Sequence, residues 1–234
     1  MPHPVAQRLA VVRDRVADAA RAAGRDPADV RVLLATKTMP ADVVREAVLA
    51  GADLLGENKV QELVAKAPAL GDLRPTLHVI GRLQSNKVNL ALRYADGVQS
   101  VDDLGLAERL SRRCEVLDRD LDVMVQVNVS AEPTKAGVAP DRALDLAVAV
   151  AALPRLRLTG LMTIGAHSRD VGRVAAGFAQ LRELRDALVA SSAPGTAEAG
   201  GLSMGMSGDL EAAVAHGATI VRLGTAVFGE RPHA

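Results

Sequence analysis

From residue 31 onward, short apolar runs alternate with longer stretches whose apolar positions recur every three or four residues. The runs are "RVLLATK", "DLLGEN", "LHVIG", "DGVQSV", "LDVMVQVNV", "RLTGLMTIG", "GLSMG" and "TIVRLG", eight in all. Several are too uniformly apolar for a strand with one wet face and read as strands buried on both sides. Each run with the helical stretch that follows fills about the ~30 residues of a βα unit. Eight such units predict an α/β fold, a single (β/α)8 TIM barrel over 31–230. A doubly wound open sheet is the alternative, because periodicity counts strands without showing that they close.

Ahead of the first strand, Val5, Leu9, Val12, Val16 and Ala20 fall at helical spacing, so one extra helix is expected within 1–24. Asn58 with Gln61 and Ser100 with Asp103 have the spacing of capping boxes, and Pro40 and Pro140 suit a first helical turn. No repeat or linker divides the chain, so 1–234 reads as one domain.

Composition narrows the function. The 234 residues are 49% hydrophobic, enough for one full core. Lys+Arg and Asp+Glu both total 28, and no block of one sign occurs, which argues against nucleic acid or an anionic membrane as partner. No apolar run approaches the ~18 residues of a membrane span. The arginine-rich N-terminal segment carries Asp14 and Asp18 and is followed by no apolar leader core, so cytoplasmic residence is expected. The single cysteine, Cys114, excludes an internal disulfide and a clustered-thiol metal site, and its charged helical setting offers no organised base partner.

In a barrel of this kind, chemistry collects where the strands exit at their C-terminal ends. Here the exits are polar: Lys37 ends strand one, Glu57 and Asn58 end strand two, and Gln126 and Asn128 share the face of strand five opposite its valines, inside the barrel. After strand seven comes "SMGMSGD", and after strand eight "RLGTAVFG". Backbone N–H groups at Gly205, Gly208 and Gly224, with the hydroxyls of Ser207 and Thr225, compose a phosphate cradle. Taken singly, such glycines are ordinary turn residues and a strand-end lysine is ordinarily solvated. Gathered on one rim, they call for a small phosphorylated ligand with an electrophile for the amine. Pyridoxal 5′-phosphate (PLP) has both, and its aldehyde forms a Schiff base with a lysine such as Lys37. Arg222, on the same face of strand eight as Gly224, is placed to meet the pyridine nitrogen and keep it unprotonated, which weakens the ring as an electron sink.

The blocks "LLATKT", "LGENKVQE", "IGRLQSNKV", "QVNVSAEPTKAGV", "GLMTIG" and "LSMGMSGDLEAAVAHGATIVRLGTAVFG" closely resemble, in order, those of the pyridoxal phosphate homeostasis protein family, the YggS/PROSC type. The resemblance covers nearly all of 31–230. It implies a barrel like the N-terminal domain of alanine racemase, PLP on Lys37, phosphate contacts at Ser207, Gly224 and Thr225, and Arg222 near the ring nitrogen. Asn58, Ser203 and Met204 are implied to line the site less directly. The implied role is to bind, store and deliver PLP, with apo PLP-dependent enzymes as candidate recipients and a monomer or weak homodimer as the working form. Lys59, Leu77 and Val79 depart from the commonest pattern, where "GENYVQE" has tyrosine and "WHFIG" has tryptophan and phenylalanine.

The alternative is a PLP-dependent amino-acid racemase. Racemisation normally needs an acid/base on each side of the substrate plane, and Lys37 supplies one. In alanine racemases the second is a tyrosine from a further β domain, and no such domain is expected within 234 residues. Tyr94 precedes strand four, at the wrong end, and His167 after strand six, the remaining candidate near the rim, reads as a surface loop histidine with nothing to fix it against the ligand. Glu57 would be the base of a phosphosugar enzyme, but a hydrogen-bonded place at a helix start suits it better. A carrier is therefore the expected role; Lys135 and Lys59 read as solvated surface lysines, or, on the sharper reading, as rim amines that accept the aldehyde on release.

Overall fold

The computed structural model describes residues 4–130, 132, 135–165, 168 and 170–229. His3, His167 and His233 lie outside the described residues. The eight expected strands are all present, each trimmed at its ends: β1 (Arg31–Ala35), β2 (Leu54–Glu57), β3 (Thr76–Val79), β4 (Gly97–Val101), β5 (Leu121–Gln126), β6 (Leu156–Met162), β7 (Gly201–Ser203) and β8 (Ile220–Leu223). They run parallel in sequence order and the sheet closes, with β8 back on β1 through Arg31 opposite Ile220 and Leu34 opposite Leu223. Closure settles the choice between barrel and open sheet.

Helices α1 (Pro4–Ala22), α2 (Ala41–Leu49), α3 (Val60–Lys66), α4 (Val88–Ala91), α5 (Leu104–Val116), α6 (Pro140–Ala151), α7 (Val171–Ala190), α8 (Leu210–Ala215) and α9 (Thr225–Phe228) surround it. α1 is the extra helix, and it buries the expected stripe of Val5, Leu9, Val12, Val16 and Ala20. Cys114 is buried on α5, and burial pushes its thiol pKa up. Among the described residues no helix is long and apolar enough to cross a membrane, and no three potential metal ligands gather.

Strand alternation sorts the core into two parts. Leu34, Leu55, Leu77, Val79, Val98, Val123, Val125, Leu161 and Val221 face the helices in one large cluster. Leu33, Leu54, Ile80, Met124, Met162 and Ile220 fill the barrel in a smaller one. Leu77 and Val79, two of the departures from the family pattern, thus occupy the helix-facing layer and leave the barrel interior unaltered.

Three local expectations need correction. α3 starts at Val60, so Lys59 rather than Asn58 is its N-cap residue and no side chain caps it. On α5, Asp103 itself caps by accepting from Leu106 N, while the Ser100 hydroxyl donates to Gly81 O. Pro40 is the N-cap residue of α2 rather than part of its first turn, whereas Pro140 does begin α6.

Candidate functional site

β1 presents Leu33 and Ala35 to the barrel interior, and the same alternation carries on to Lys37 at its exit. Lys37 is half-buried, and among the described residues its ammonium makes no ion pair or hydrogen bond. A Cβ on Gly224 would lie 2.9 Å from Ala35 O, so a glycine is what lets the exit of β8 come against the exit of β1. Thr225, the first residue of α9, is exposed on this seam.

Gly205 turns the chain out of β7 at a φ of 92°, where its Cβ would lie 2.4 Å from that of Ala213. Any side chain would strain both the turn and the packing of α8. Gly205 O accepts from Arg222 N at 2.9 Å, which ties this turn to β8. Met206 N donates to Asp209 Oδ1 at 2.5 Å, and nothing stands within 4 Å of a Cβ built on Gly208. Ser207, half-buried between them, gives its carbonyl oxygen to Arg15 of α1 at 3.0 Å and keeps its hydroxyl.

Arg222 is 6% exposed and enters the barrel from β8. Its Nη1 donates to Ser203 Oγ at 2.9 Å and its Nη2 to Thr163 O at 2.7 Å. Ser203 Oγ donates on to Gln99 Oε1 at 2.6 Å, and Gln99 Nε2 lies 2.9 Å from His78 Nδ1. The direction of this chain is fixed: guanidinium to hydroxyl to amide to imidazole, so His78 Nδ1 accepts and the ring is neutral. Burial, and next the charge of Arg31, hold the His78 pKa down to about 4. Burial also brings Arg222 down to about 10, partly offset by Asp209, so it stays charged at neutral pH.

A cavity of about 980 Å³ opens on the same rim, walled by Lys135, Ile164, Gly165, Met206, Gly208 and Asp209. It borders the Ser207 loop rather than Lys37.

The other expected residues divide. Asn58 is exposed at the rim with its backbone beneath Gly81, whose Cβ would lie 2.2 Å from Asn58 O. Met204 is fully buried, but in the helix-facing cluster, since the inward place on β7 goes to Ser203. Asn128 is not inside the barrel: β5 ends at Gln126, and the Asn128 amide donates to Glu132 O and Lys135 O to shape its own loop. The buried Gln126 likewise donates to Ala136 O. Glu57 faces outward, hydrogen-bonded to Thr36 and Lys66, in no position to act on a ligand inside the barrel. Lys59 is exposed, and Lys135 is on the rim with its ammonium between Glu132 Oε1 and Gly165 O, each at 3.0 Å.

Sequence reading missed Gln99 and His78 as supports of Arg222. Strand parity alone would have placed both inside, opposite Ser203. It missed Lys66 as well, for which the i,i+4 spacing from Glu62 was the one local signal.

A primary amine without a protein partner, a buried guanidinium without a carboxylate bound to it, and a glycine-lined loop form a donor set that fits PLP. It offers an amine for the aldehyde, a cation for the pyridine nitrogen and backbone donors for the phosphate. The family profile described as "Alanine racemase, N-terminal domain" matches residues 8–232. The chain is 46% identical to a pyridoxal phosphate homeostasis protein of Pseudomonas aeruginosa over 98% of this chain and 96% of that one. It is 40% identical to one of Aquifex aeolicus over 97% of this chain and 98% of the other. The solved structure of PipY of Synechococcus elongatus with PLP bound superposes with a TM-score of 0.84 at 37% identity, covering 96% of this chain and all of that one. The chain therefore belongs to the pyridoxal phosphate homeostasis protein family.

Proposed function

We propose that this chain binds PLP at the C-terminal mouth of its barrel as a Schiff base on Lys37, stores it, and delivers it to apo PLP-dependent enzymes. What supports the reading is that β1, which leads to Lys37, pairs with β8, which carries Arg222 and leads to Thr225, while Gly205 O accepts from Arg222 N and ties the Ser207 loop to β8, in a family with a PLP-bound relative. When bound, the cofactor supplies a carbonyl electrophile and an electron-withdrawing ring.

The chain's own residues do the rest. Lys37 offers a nucleophilic amine. The Ser207 and Thr225 hydroxyls and neighbouring N–H groups hold the phosphate. Arg222, fixed by Ser203 and Thr163, donates toward the ring nitrogen and so disfavours its protonation. A ring kept neutral is a weak electron sink, which suits storage over catalysis, so the chain acts as a carrier in vitamin B6 balance. The barrel serves as one binding domain, working in the cytoplasm as a monomer or weak homodimer.

The test is the visible spectrum of the purified protein before and after borohydride reduction, with peptide mapping of the modified lysine. Lys37→Ala abolishes the yellow band if the reading holds. A persistent band with label on another lysine overturns the assignment, and amino-acid racemisation that disappears with Lys37→Ala restores the racemase.

A further inference from the structure

The exit of β1 is held by a buried ionic cluster that the binding reading does not use. Lys66 of α3 is 9% exposed, and its Nζ donates to Glu57 Oε1 at 2.8 Å, Glu62 Oε2 at 3.3 Å and Thr36 O at 2.7 Å. An ammonium has three protons, and these three oxygens take them all. Glu57 Oε1 also accepts the Thr36 hydroxyl at 2.6 Å, and Glu62 Oε2 accepts Thr38 N at 2.7 Å. Thr36 N donates to Gly56 O at 3.0 Å as well. The peptides on both sides of Lys37 are thus gripped by one cluster, while the Lys37 ammonium is left unengaged.

Two features say that the cluster does more than fill space. Thr38 sits at a φ of 65°, a left-handed conformation that is costly for a β-branched residue and persists where its surroundings impose it. The hydrogen bond to Glu62 is such a constraint. Glu57 Oε2 is buried with no partner, although burying a carboxylate costs free energy that a hydrophobic pair in the same space would avoid. Burial pushes the Glu57 pKa up. For Glu62 burial acts the same way, but the Thr38 N–H and Lys66 outweigh it and bring the net pKa down.

We propose that Glu57, Lys66 and Glu62 form a clamp that bends the chain at Thr36–Thr38 and presents the Lys37 amine to the aldehyde, acting as positioning residues for capture. The inference rests on Lys37 as the residue that takes the aldehyde. In that condensation the nitrogen forms a double bond to the aldehyde carbon, and the carbonyl oxygen leaves as water with two protons from the amine. An attacking atom displaced by about 1 Å can cost about a hundredfold in rate, so the orientation of a long, flexible side chain is worth holding from its base.

The experiment compares PLP with pyridoxine 5′-phosphate, which keeps the ring and phosphate but has an alcohol where PLP has the aldehyde. Glu62→Ala removes the anchor of Thr38 from a partly exposed position, and Lys66→Met removes the centre of the cluster. Both should slow the rise of the Schiff-base band on mixing with PLP by about tenfold or more, while affinity for pyridoxine 5′-phosphate stays within about twofold. Glu62→Gln, which keeps an oxygen for Thr38 N–H, should recover most of the rate. If Lys66→Met does not fold, Glu62→Ala decides alone. Capture at the wild-type rate, or an equal loss for both ligands, overturns the clamp. Capture by Lys37→Ala as fast as by the unaltered protein overturns the Lys37 reading and the clamp with it.

Discussion

Arg15 of α1 grips Glu211 of α8 with two parallel hydrogen bonds, Nε to Oε1 at 2.7 Å and Nη2 to Oε2 at 2.8 Å, while its Nη1 reaches Ser207 O at 3.0 Å. The extra helix thereby braces the loop expected to hold the phosphate. The two side chains are 39% and 58% exposed, so solvent screens the pair and about 1 kcal/mol is its ceiling. Arg15→Ala should weaken PLP binding by about two- to fivefold and leave capture of pyridoxal, which has no phosphate, unchanged. Calorimetric titration with each ligand reads the difference.

The cradle itself should separate the same ligands more sharply. With Ser207→Ala and Thr225→Ala combined, PLP should dissociate about a hundredfold faster or more, as expected for two lost hydrogen bonds to a charged group. Pyridoxal should leave at the unaltered rate. Stopped-flow transfer to a scavenging amine measures both, and equal acceleration would place the phosphate elsewhere.

His78 predicts how stability responds to acid. Its folded pKa of about 4 lies below the ordinary 6.5, so between these values the unfolded chain binds a proton that the folded chain refuses. Stability from this residue is therefore complete above about pH 6.5, and falls by about 3 kcal/mol as pH drops to 4. Glu57, with a raised pKa, contributes a slope of opposite sign. The comparison isolating the imidazole is wild type against His78→Gln in urea unfolding at pH 7 and pH 5. The variant should be less stable at pH 7 and lose less on acidification.

If release passes through a rim amine, Lys135 is the group placed to take part. Its ammonium is already tied to Glu132 and Gly165 O, so accepting an aldehyde requires leaving both. Lys135→Ala should keep PLP on Lys37 but slow its transfer to an added apo-enzyme, with a smaller effect for the exposed Lys59→Ala. Wild-type transfer in the double variant would assign release to hydrolysis and diffusion.

The strands were legible because burial on both faces leaves a mark on composition, as in Leu33 and Leu34, one facing each way. Closure was not, since pairing of β8 with β1 depends on residues far apart in the chain. Parity correctly put Arg222 inside and failed for Asn128, because the alternation was carried past Gln126, where the strand stops. It would have turned Met204 outward had β7 been read the same way. The Asn58 and Ser100 spacings matched a capping pattern that many non-capping positions also satisfy. Lys66 and Arg15 were missed for a different reason. Arg15 joins α1 to α8, far apart in the chain, and Lys66 joins α3 to the exits of β1 and β2, with only its i,i+4 spacing from Glu62 lying in a local window.

The β8–β1 seam carries one further consequence. The first strand delivers Lys37 and the last two deliver the loops with Ser207 and Thr225, so the proposed ligand ties together the two strands whose pairing completes the cylinder. A covalent bond on one side of that join and a held phosphate on the other make the cofactor a rivet. Amides of Arg31–Ala35 and Ile220–Leu223 should then exchange with deuterium more slowly in the loaded protein than in the empty one, while those of β4 and β5, across the barrel, change little.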